Sequence, residues 1–587
     1  MLKSTSSLMA LALAAGLATA SQVAAQEAED PIDRVIVFGD SLADGGFYAA
    51  GNPNFPAGAG SFTTNPDPVS PEVMAAQLGL PLDPVYGRGG TNYAIGGARV
   101  TAPSGITIPI TNQVTNFLAS GQTFGPQDLV YIQGGGNDFF AWVAGGGVNN
   151  AILTNAATEL AGQVQRLEAA GAERIVTMSI QGSGGLQVFN QAFAASLASR
   201  GVNALYVDVN RLFAEIVADP APFGITNTTG LACIGSSLTC TPATYVAPDA
   251  NETYLRADSA HPAGITQRIQ GQAIASLVKA PEQIGQLSFA AQSGMRAHRD
   301  MAENAMHGVL ASPGNGPTVF GSVGHHDFDS QGSKQLIGLE ETSTIFQLGV
   351  DYALSGWGAG LALSYSQSAG EFYASSGGYD GESWSATAYA RTQLGPIDAV
   401  VDASYGQVDY NELTRRLTLG PAVRLHRGQT DGTYMAVRGS ASVNVFEAAG
   451  FQLGPEAAVT FERIEIDGYD EAGDLSTSAT FGEQDLESVF GRIGLVARRP
   501  GPVSVFARVS YEHEFDSEDR RFVIRPAGAP ISYESRLNPA DEGYFSYAAS
   551  LSGQVSQAFS LQVGVSGYSG RGELDSVTGS VSGALAF

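Results

Sequence analysis

The sequence predicts a two-part molecule: an α/β/α sandwich with a parallel sheet, followed by a C-terminal antiparallel transmembrane β-barrel of about twelve strands. Three observations predict it. The first half alternates short β-branched runs with helical patterns, the second half switches to a period of two, and the chain of 587 residues is too long for one ordinary domain.

The chain opens "MLKSTSSLMALALAAGLATASQVAAQEAED", with Lys3 near the start, an apolar run from Leu8 to Ala20, and Val23 and Ala25 at the small-residue positions before Gln26. Residues 1–25 therefore read as a secretory signal. The run is shorter than the roughly 20 residues a spanning helix needs. No later apolar stretch approaches that length, which excludes spanning helices but not a barrel, whose strands hide their hydrophobicity in alternation.

From Asp33 to about Lys279, the runs "RVIVFGDS", "DLVYIQGGGND", "RIVTMSI" and "ALYVDVN" read as strands buried on both sides. Between them, "NAATELAGQVQRLEAAGA" puts Leu160, Val164 and Leu167 on one helical face. Functional residues of such sheets collect beyond the carboxyl ends of the strands, and Ser41 follows the first strand at that edge. This first unit is expected over residues 26–285.

A helix from about Gln286 to Val309, stopped by Pro313 and Gly314, is expected next, with residues 286–312 as the connecting segment. It is polar and alanine-rich with no broad apolar face, which suits a soluble linker or a helix filling a polar barrel lumen; the adjacent barrel signal favours the lumen.

In residues 313–587, "IFQLGVDYALSG" sets Phe346, Leu348, Val350, Tyr352 and Leu354 against Gln347, Gly349, Asp351 and Ser355. The alternation returns at Val503, Val505, Ala507, Val509 and Tyr511, and at Leu561, Val563 and Val565. A soluble sandwich would alternate too, but the final stretch puts Val577, Val581, Leu585 and the terminal Phe587 on one face. An aromatic end of this kind resembles outer-membrane barrels, whose assembly machinery reads it. The 275 residues suffice for twelve tilted strands of roughly 10 residues plus loops.

Formal net charge is −27: residues 26–280 hold 20 acidic and 10 basic side chains, residues 281–587 hold 37 and 19. Neither half has the basic footprint that nucleic acid requires. Cys233 and Cys240, in "ACIGSSLTCTPA", are the only cysteines and lack histidine neighbours, so outside the cytoplasm a short-loop disulfide is expected ahead of two free thiols or a metal site.

His261 is the sole histidine of the first unit; the others are at 298, 307, 325, 326, 426 and 513. A histidine-based metal cluster is thereby excluded there, and a serine nucleophile needing an imidazole base must use His261. In "RADSAHPAG", Asp258 lies three residues before His261, a spacing that lets a turn bring the carboxylate to the far ring nitrogen. Acyl transfer also needs donors for a developing oxyanion. "TNYAIGGA" offers backbone N–H groups at Gly96 or Gly97, and "GGGND" offers the amide of Asn137.

These four stretches, "FGDSLAD", "GTNYAIGGA", "GGND" and "DSAHP", resemble the four blocks of the SGNH, or GDSL, hydrolases, over about residues 33 to 280. The resemblance implies a flavodoxin-like sheet, Ser41 as nucleophile and backbone donor, Gly96 and Asn137 completing the oxyanion hole, His261 as base and Asp258 as its orienter. It implies no metal or organic cofactor. Arg256, where members of the family often carry apolar or aromatic residues, is expected to bear on the pocket entrance.

The whole chain resembles the esterases that are autotransporters of Gram-negative bacteria. That implies a monomer whose barrel sits among outer-membrane lipids and displays the hydrolase on the cell surface, acting on an acyl ester or lipid. Acyl transfer to another acceptor uses the same residues. A non-catalytic adhesin is the reading from a different class, though it gives no reason for all four blocks.

Overall fold

The computed structural model describes residues 31–50, 52, 55–310, 316–515, 520–537, 542–572 and 574–587. The signal expected over residues 1–25 lies outside them, as do Pro313 and Gly314.

Four parallel strands, β1 (Arg34–Phe38), β2 (Asp128–Ile132), β3 (Arg174–Met178) and β4 (Leu205–Val207), lie side by side in that order and are the four runs singled out in the sequence. Alternate side chains serve opposite cores. Ile36, Phe38, Val130, Ile132 and Ile175 pack with Leu160, Val164 and Leu167 of the helix Ala151–Ala169. Val35, Val37, Leu129, Tyr131 and Val176 pack on the other face with Met74 and with Ile274 and Leu277 of the last helix. Buried on both faces, these strands could not show polar alternation.

One more piece of chain pairs with the sheet. Val37 N–H donates to the Thr91 carbonyl at 3.1 Å and Tyr93 N–H to the Val37 carbonyl at 2.7 Å, so residues 91–93 lie on the side of β1 away from β2. The chain thus leaves β1 to one side and returns across it to reach β2. Strand order reverses at β1, and the crevice beyond its carboxyl end is where such sheets bind ligands.

The helix Gly264–Leu310 runs 47 residues, about 70 Å at 1.5 Å per residue. It begins at Gly264 and not near Gln286, and it continues through Pro281. Its first turns place Ile265, Ile269 and Ala273 in an apolar core, whereas Gln286, Gln292, Ser293, Arg296, His298 and Arg299 are buried farther down.

Those polar residues are buried inside a closed barrel. Twelve antiparallel strands form it: Gly316–Ser330, Leu339–Leu354, Trp357–Phe372, Gly377–Leu394, Ile397–Leu419, Ala422–Val443, Phe451–Ile466, Gln484–Arg499, Val503–Glu514, Gly543–Gln554, Phe559–Arg571 and Leu574–Ala586. The last pairs with the first, Val581 opposite Val323, which closes the ring. Phe346, Leu348, Val350 and Tyr352 are 49, 63, 52 and 49 % exposed, while Gln347 and Asp351 point inward and are buried. A soluble sandwich would bury the apolar face; here it faces out and the polar face in, as a membrane barrel requires. Inside, Arg296 and Arg299 of the helix pair with Glu462 at 3.2 and 3.0 Å, and Glu303 with Arg438 and Arg508 at 2.9 and 2.6 Å.

At one end of the barrel, connecting segments rise as a small sheet of Tyr469–Asp470, Ala479–Phe481, Arg521–Pro526 and Tyr533–Arg536. It meets the first unit beside β4: Asn203 donates to the Glu534 carbonyl at 2.9 Å and accepts from its N–H at 2.8 Å. Nearby, Ile32 exchanges two hydrogen bonds with the Gln335 side chain.

Candidate active site

Ser41 lies three residues past the end of β1, on a turn gripped from several sides. Gln113 holds Gly39 through both amide atoms, each contact 2.9 Å. Gln133 and the Leu42 N–H donate to Asp40 Oδ1 at 2.8 and 3.1 Å. A side chain at Gly39 would collide with this framework, its Cβ falling 2.8 Å from Gln133 Nε2.

The second strand of chain enters from far along the sequence. After the short strand Tyr254–Arg256, Asp258 Oδ1 accepts the N–H groups of Ala260 and His261, both at 2.9 Å. That turn brings the carboxylate to His261 Nδ1, 2.8 Å from Oδ1 and 3.0 Å from Oδ2. His261 Nε2 lies 2.8 Å from Ser41 Oγ. Asp258, His261 and Ser41 are therefore in one hydrogen-bonded line. Burial alone would raise the Asp258 carboxyl, but the His261 hydrogen bond and charge and the Ser237 and Ala260 donors outweigh it and hold the group well below the usual carboxylate range.

The expected oxyanion donors are close to one another. Asn137 opens the helix Gly136–Ala144, and one N–H of its amide donates to the Ala98 carbonyl at 3.0 Å, which ties the "GGND" turn to the "GGA" turn. Asp138, 1 % exposed, reinforces the join by accepting from Arg99 Nε and Val100 N–H, both at 2.9 Å.

Gly96 does not fit its expected role. Its N–H donates to Asp44 Oδ2 at 2.8 Å, a buried carboxylate that takes it out of reach of a substrate. The neighbouring Gly97 is half-buried with φ of +84°, and its N–H has no hydrogen-bond partner among the described residues. The Arg256 guanidinium sits 5.5 Å over the Phe213 ring.

Cys233 and Cys240 form the expected disulfide. Within its loop, fully buried Ser237 donates its N–H to Asp258 Oδ2 at 2.9 Å, and its hydroxyl is 3.1 Å from His261 Nδ1. Sequence reasoning missed Ser237, although its place between the two cysteines was the available signal. It also missed Phe62, whose ring centroid is 5.0 Å from that of His261. Among the described residues no cluster of histidine, cysteine and carboxylate side chains could hold a metal ion.

A serine, a histidine and an aspartate in line at the switch point of a parallel sheet, carried on a closed outer-membrane barrel, are the build of a barrel-anchored hydrolase. Residues 35–221 match the family GDSL-like Lipase/Acylhydrolase and residues 319–566 match the Autotransporter beta-domain. The chain carries a GDSL lipase/acylhydrolase domain and a C-terminal autotransporter β-domain, with the barrel in the outer membrane and the hydrolase unit at the cell surface. It is 28% identical to a protein of the trpE–trpG intergenic region of Pseudomonas putida, over 86% of this chain and 92% of that one. It is 27% identical to esterase EstA of Pseudomonas aeruginosa, over 87% and 88%. Among solved structures, the translocator domain of the autotransporter NalP from Neisseria meningitidis aligns with a TM-score of 0.40 at 16% identity, covering 50% of this chain and 98% of that one.

Proposed function

We propose that this chain is a serine esterase or lipase in which Ser41 attacks an ester carbonyl while His261 takes its proton. Asp258 keeps the imidazole in the tautomer that presents a bare Nε2 and stabilises the imidazolium that forms. The oxyanion is held by the N–H groups of Ser41 and Gly97 and by the second N–H of the Asn137 amide, whose first is fixed on Ala98. His261 then protonates the leaving alcohol, and water, deprotonated by the same imidazole, hydrolyses the acyl-enzyme. The observation that carries the reading is the pair of 2.8 Å contacts that puts Asp258, His261 and Ser41 in line.

The substrate is an acyl ester or lipid. The molecule acts as a monomer, with residues 26–285 as the hydrolase, 286–312 as the lumen segment and 313–587 as the barrel, which the assembly machinery inserts among outer-membrane lipids. The match to the GDSL-like Lipase/Acylhydrolase family and the relative named esterase EstA support the substrate class.

A fluorophosphonate probe tests this on the full chain in detergent. Wild type is expected to be labelled at Ser41 and to hydrolyse a model ester. Ser41→Ala should remain unlabelled and lose roughly 10⁴-fold or more in kcat, the scale of losing a triad nucleophile. Turnover that survives Ser41→Ala would overturn the assignment.

A further inference from the structure

We propose that Asp44 and Tyr48 are positioning residues that clamp the peptide between Gly96 and Gly97 and aim the Gly97 N–H at the oxyanion. The proposal rests on the reading of Ser41 as nucleophile given above.

Both ends of Gly96 are held. Its N–H donates to Asp44 Oδ2 at 2.8 Å, and its carbonyl accepts from the Tyr48 hydroxyl at 2.7 Å. In a trans peptide the carbonyl and the following N–H point in opposite directions. With the Gly96 carbonyl fixed on Tyr48, the Gly97 N–H must point away from that ring. Gly97 is the second central residue of a turn closed by the Ala98 N–H on the Ile95 carbonyl at 3.1 Å, a place where φ of +84° favours glycine and the residue's own N–H takes no part in the turn's hydrogen bond.

The clamp lies beside the reacting groups. A Cβ on Gly96 would fall 2.0 Å from Phe62 Cε2, so this peptide lies against the Phe62 ring. Phe62 packs in turn against the His261 ring, 5.0 Å between centroids, and against Tyr48, 6.0 Å. Gly96 is thus flush with the wall that also supports the imidazole.

Asp44 is fully buried and accepts three N–H groups: Gly46 at 2.9 Å and Phe47 at 2.7 Å on Oδ1, and Gly96 on Oδ2. The first two shape the loop that carries Asp44 and Tyr48. The third reaches 52 residues along the chain to the glycine pair. Asp44 follows Ser41 by three residues and Tyr48 by seven, so one loop fixes both the nucleophile and the donor opposite it.

This division of labour gives a selective test. In Asp44→Asn the carbonyl oxygen can keep the Gly46 and Phe47 donors, but an NH₂ group faces the Gly96 N–H, donor against donor. Tyr48→Phe keeps the ring and removes only the hydroxyl. Complete loss of one oxyanion donor costs roughly 10²- to 10³-fold in kcat, so misdirecting one should cost about 10- to 100-fold.

The experiment measures kcat and KM on the full chain, per active site titrated with a fluorophosphonate, and the affinity of a boronic acid that forms a tetrahedral adduct on serine. Both variants are expected to lose kcat by about 10- to 100-fold and boronate affinity by a similar factor, with KM within about twofold. The double variant should lose much less than the product of the two, because both hold one peptide. Unchanged kcat per titrated site and unchanged boronate affinity in both variants would overturn the clamp, whatever happens to thermal stability. A wild-type chain that does not label at Ser41 would instead sink the underlying reading.

Discussion

The carboxylates around Ser41 divide by what they pair with. Asp258 meets an imidazole and lies below the ordinary range, so its contribution is present above the unfolded value near 4 and is lost only as pH falls through the lower folded value. Asp44 meets only amides: burial pushes it up to about 6, with the Phe47, Gly96 and Gly46 N–H groups opposing. A raised folded value means the folded state holds the proton more tightly, so stability falls as pH rises from about 4 through about 6. The change in melting temperature caused by Asp44→Asn should therefore be more favourable at pH 8 than at pH 4, the difference corresponding to on the order of 2–3 kcal/mol. An equal effect at both pH values in paired melting curves would refute this. Asp258→Asn should lower kcat by roughly 10⁴-fold, whereas Ser237→Ala, which keeps the backbone donor, should lose less than about tenfold. Side-chain chemistry let the sequence single out Ser41, His261 and Asp258, which the fold brings into one hydrogen-bonded line, because few residue types can do the work proposed for them. Which glycine of "IGGA" keeps a free N–H was not legible, since it depends on where the Asp44 carboxylate lands.

Among elements, the four sheet strands were readable from their β-branched runs, and the barrel from its period of two. The long helix was readable only in its luminal part, from about Gln286, because it changes partners along its length. Above Pro281 it needs an apolar face for the core around Ile269 and Leu277; below, it needs polar side chains to meet Glu462, Arg438 and Arg508. No single apolar stripe runs through its 47 residues. The disulfide loop is the element whose function the spacing concealed. Cys233 and Cys240 enclose Ser237, while Asn65 donates to the Ser237 carbonyl at 2.8 Å and the Gly60 N–H to that of Leu238 at 3.1 Å. Closing so short a loop is worth roughly 2–3 kcal/mol. Replacing both cysteines by serine should lower stability by about that much and, because Ser237 loosens its hold on Asp258, reduce kcat per titrated site. A variant that loses stability with kcat intact would show that the loop only stabilises the fold.

At the scale of the molecule, hydrolase and barrel share their hydrophobic cores. One continuous cluster runs from Val35 and Leu129 of the sheet through Leu277 and Ile284 to Phe328 and Tyr410 of the barrel, and another joins Leu212 and Ile269 to Leu417 and Leu419. The open side of β4 is an edge that a parallel sheet ordinarily has to cover. Here the hairpin of Arg521–Pro526 and Tyr533–Arg536 stands against it, with Ala529 and Ile531 packed on the sheet's core and Asn203 paired to Glu534. This hairpin belongs to the connection between two neighbouring barrel strands, Val503–Glu514 and Gly543–Gln554, which pair directly from Val503 opposite Gly553 to His513 opposite Gly543. Replacing residues 520–537 with a short Gly/Ser turn should therefore leave the barrel ladder intact, seen as unchanged heat-modifiable migration on a gel. The hydrolase should lose its edge cover and the apolar contacts of Ala529 and Ile531, on the order of 2 kcal/mol, which lowers the temperature of half-inactivation by roughly 4–8 °C. Half-inactivation at the wild-type temperature, with the barrel folded, would mean that the hydrolase carries its own stability and the hairpin merely rests beside it.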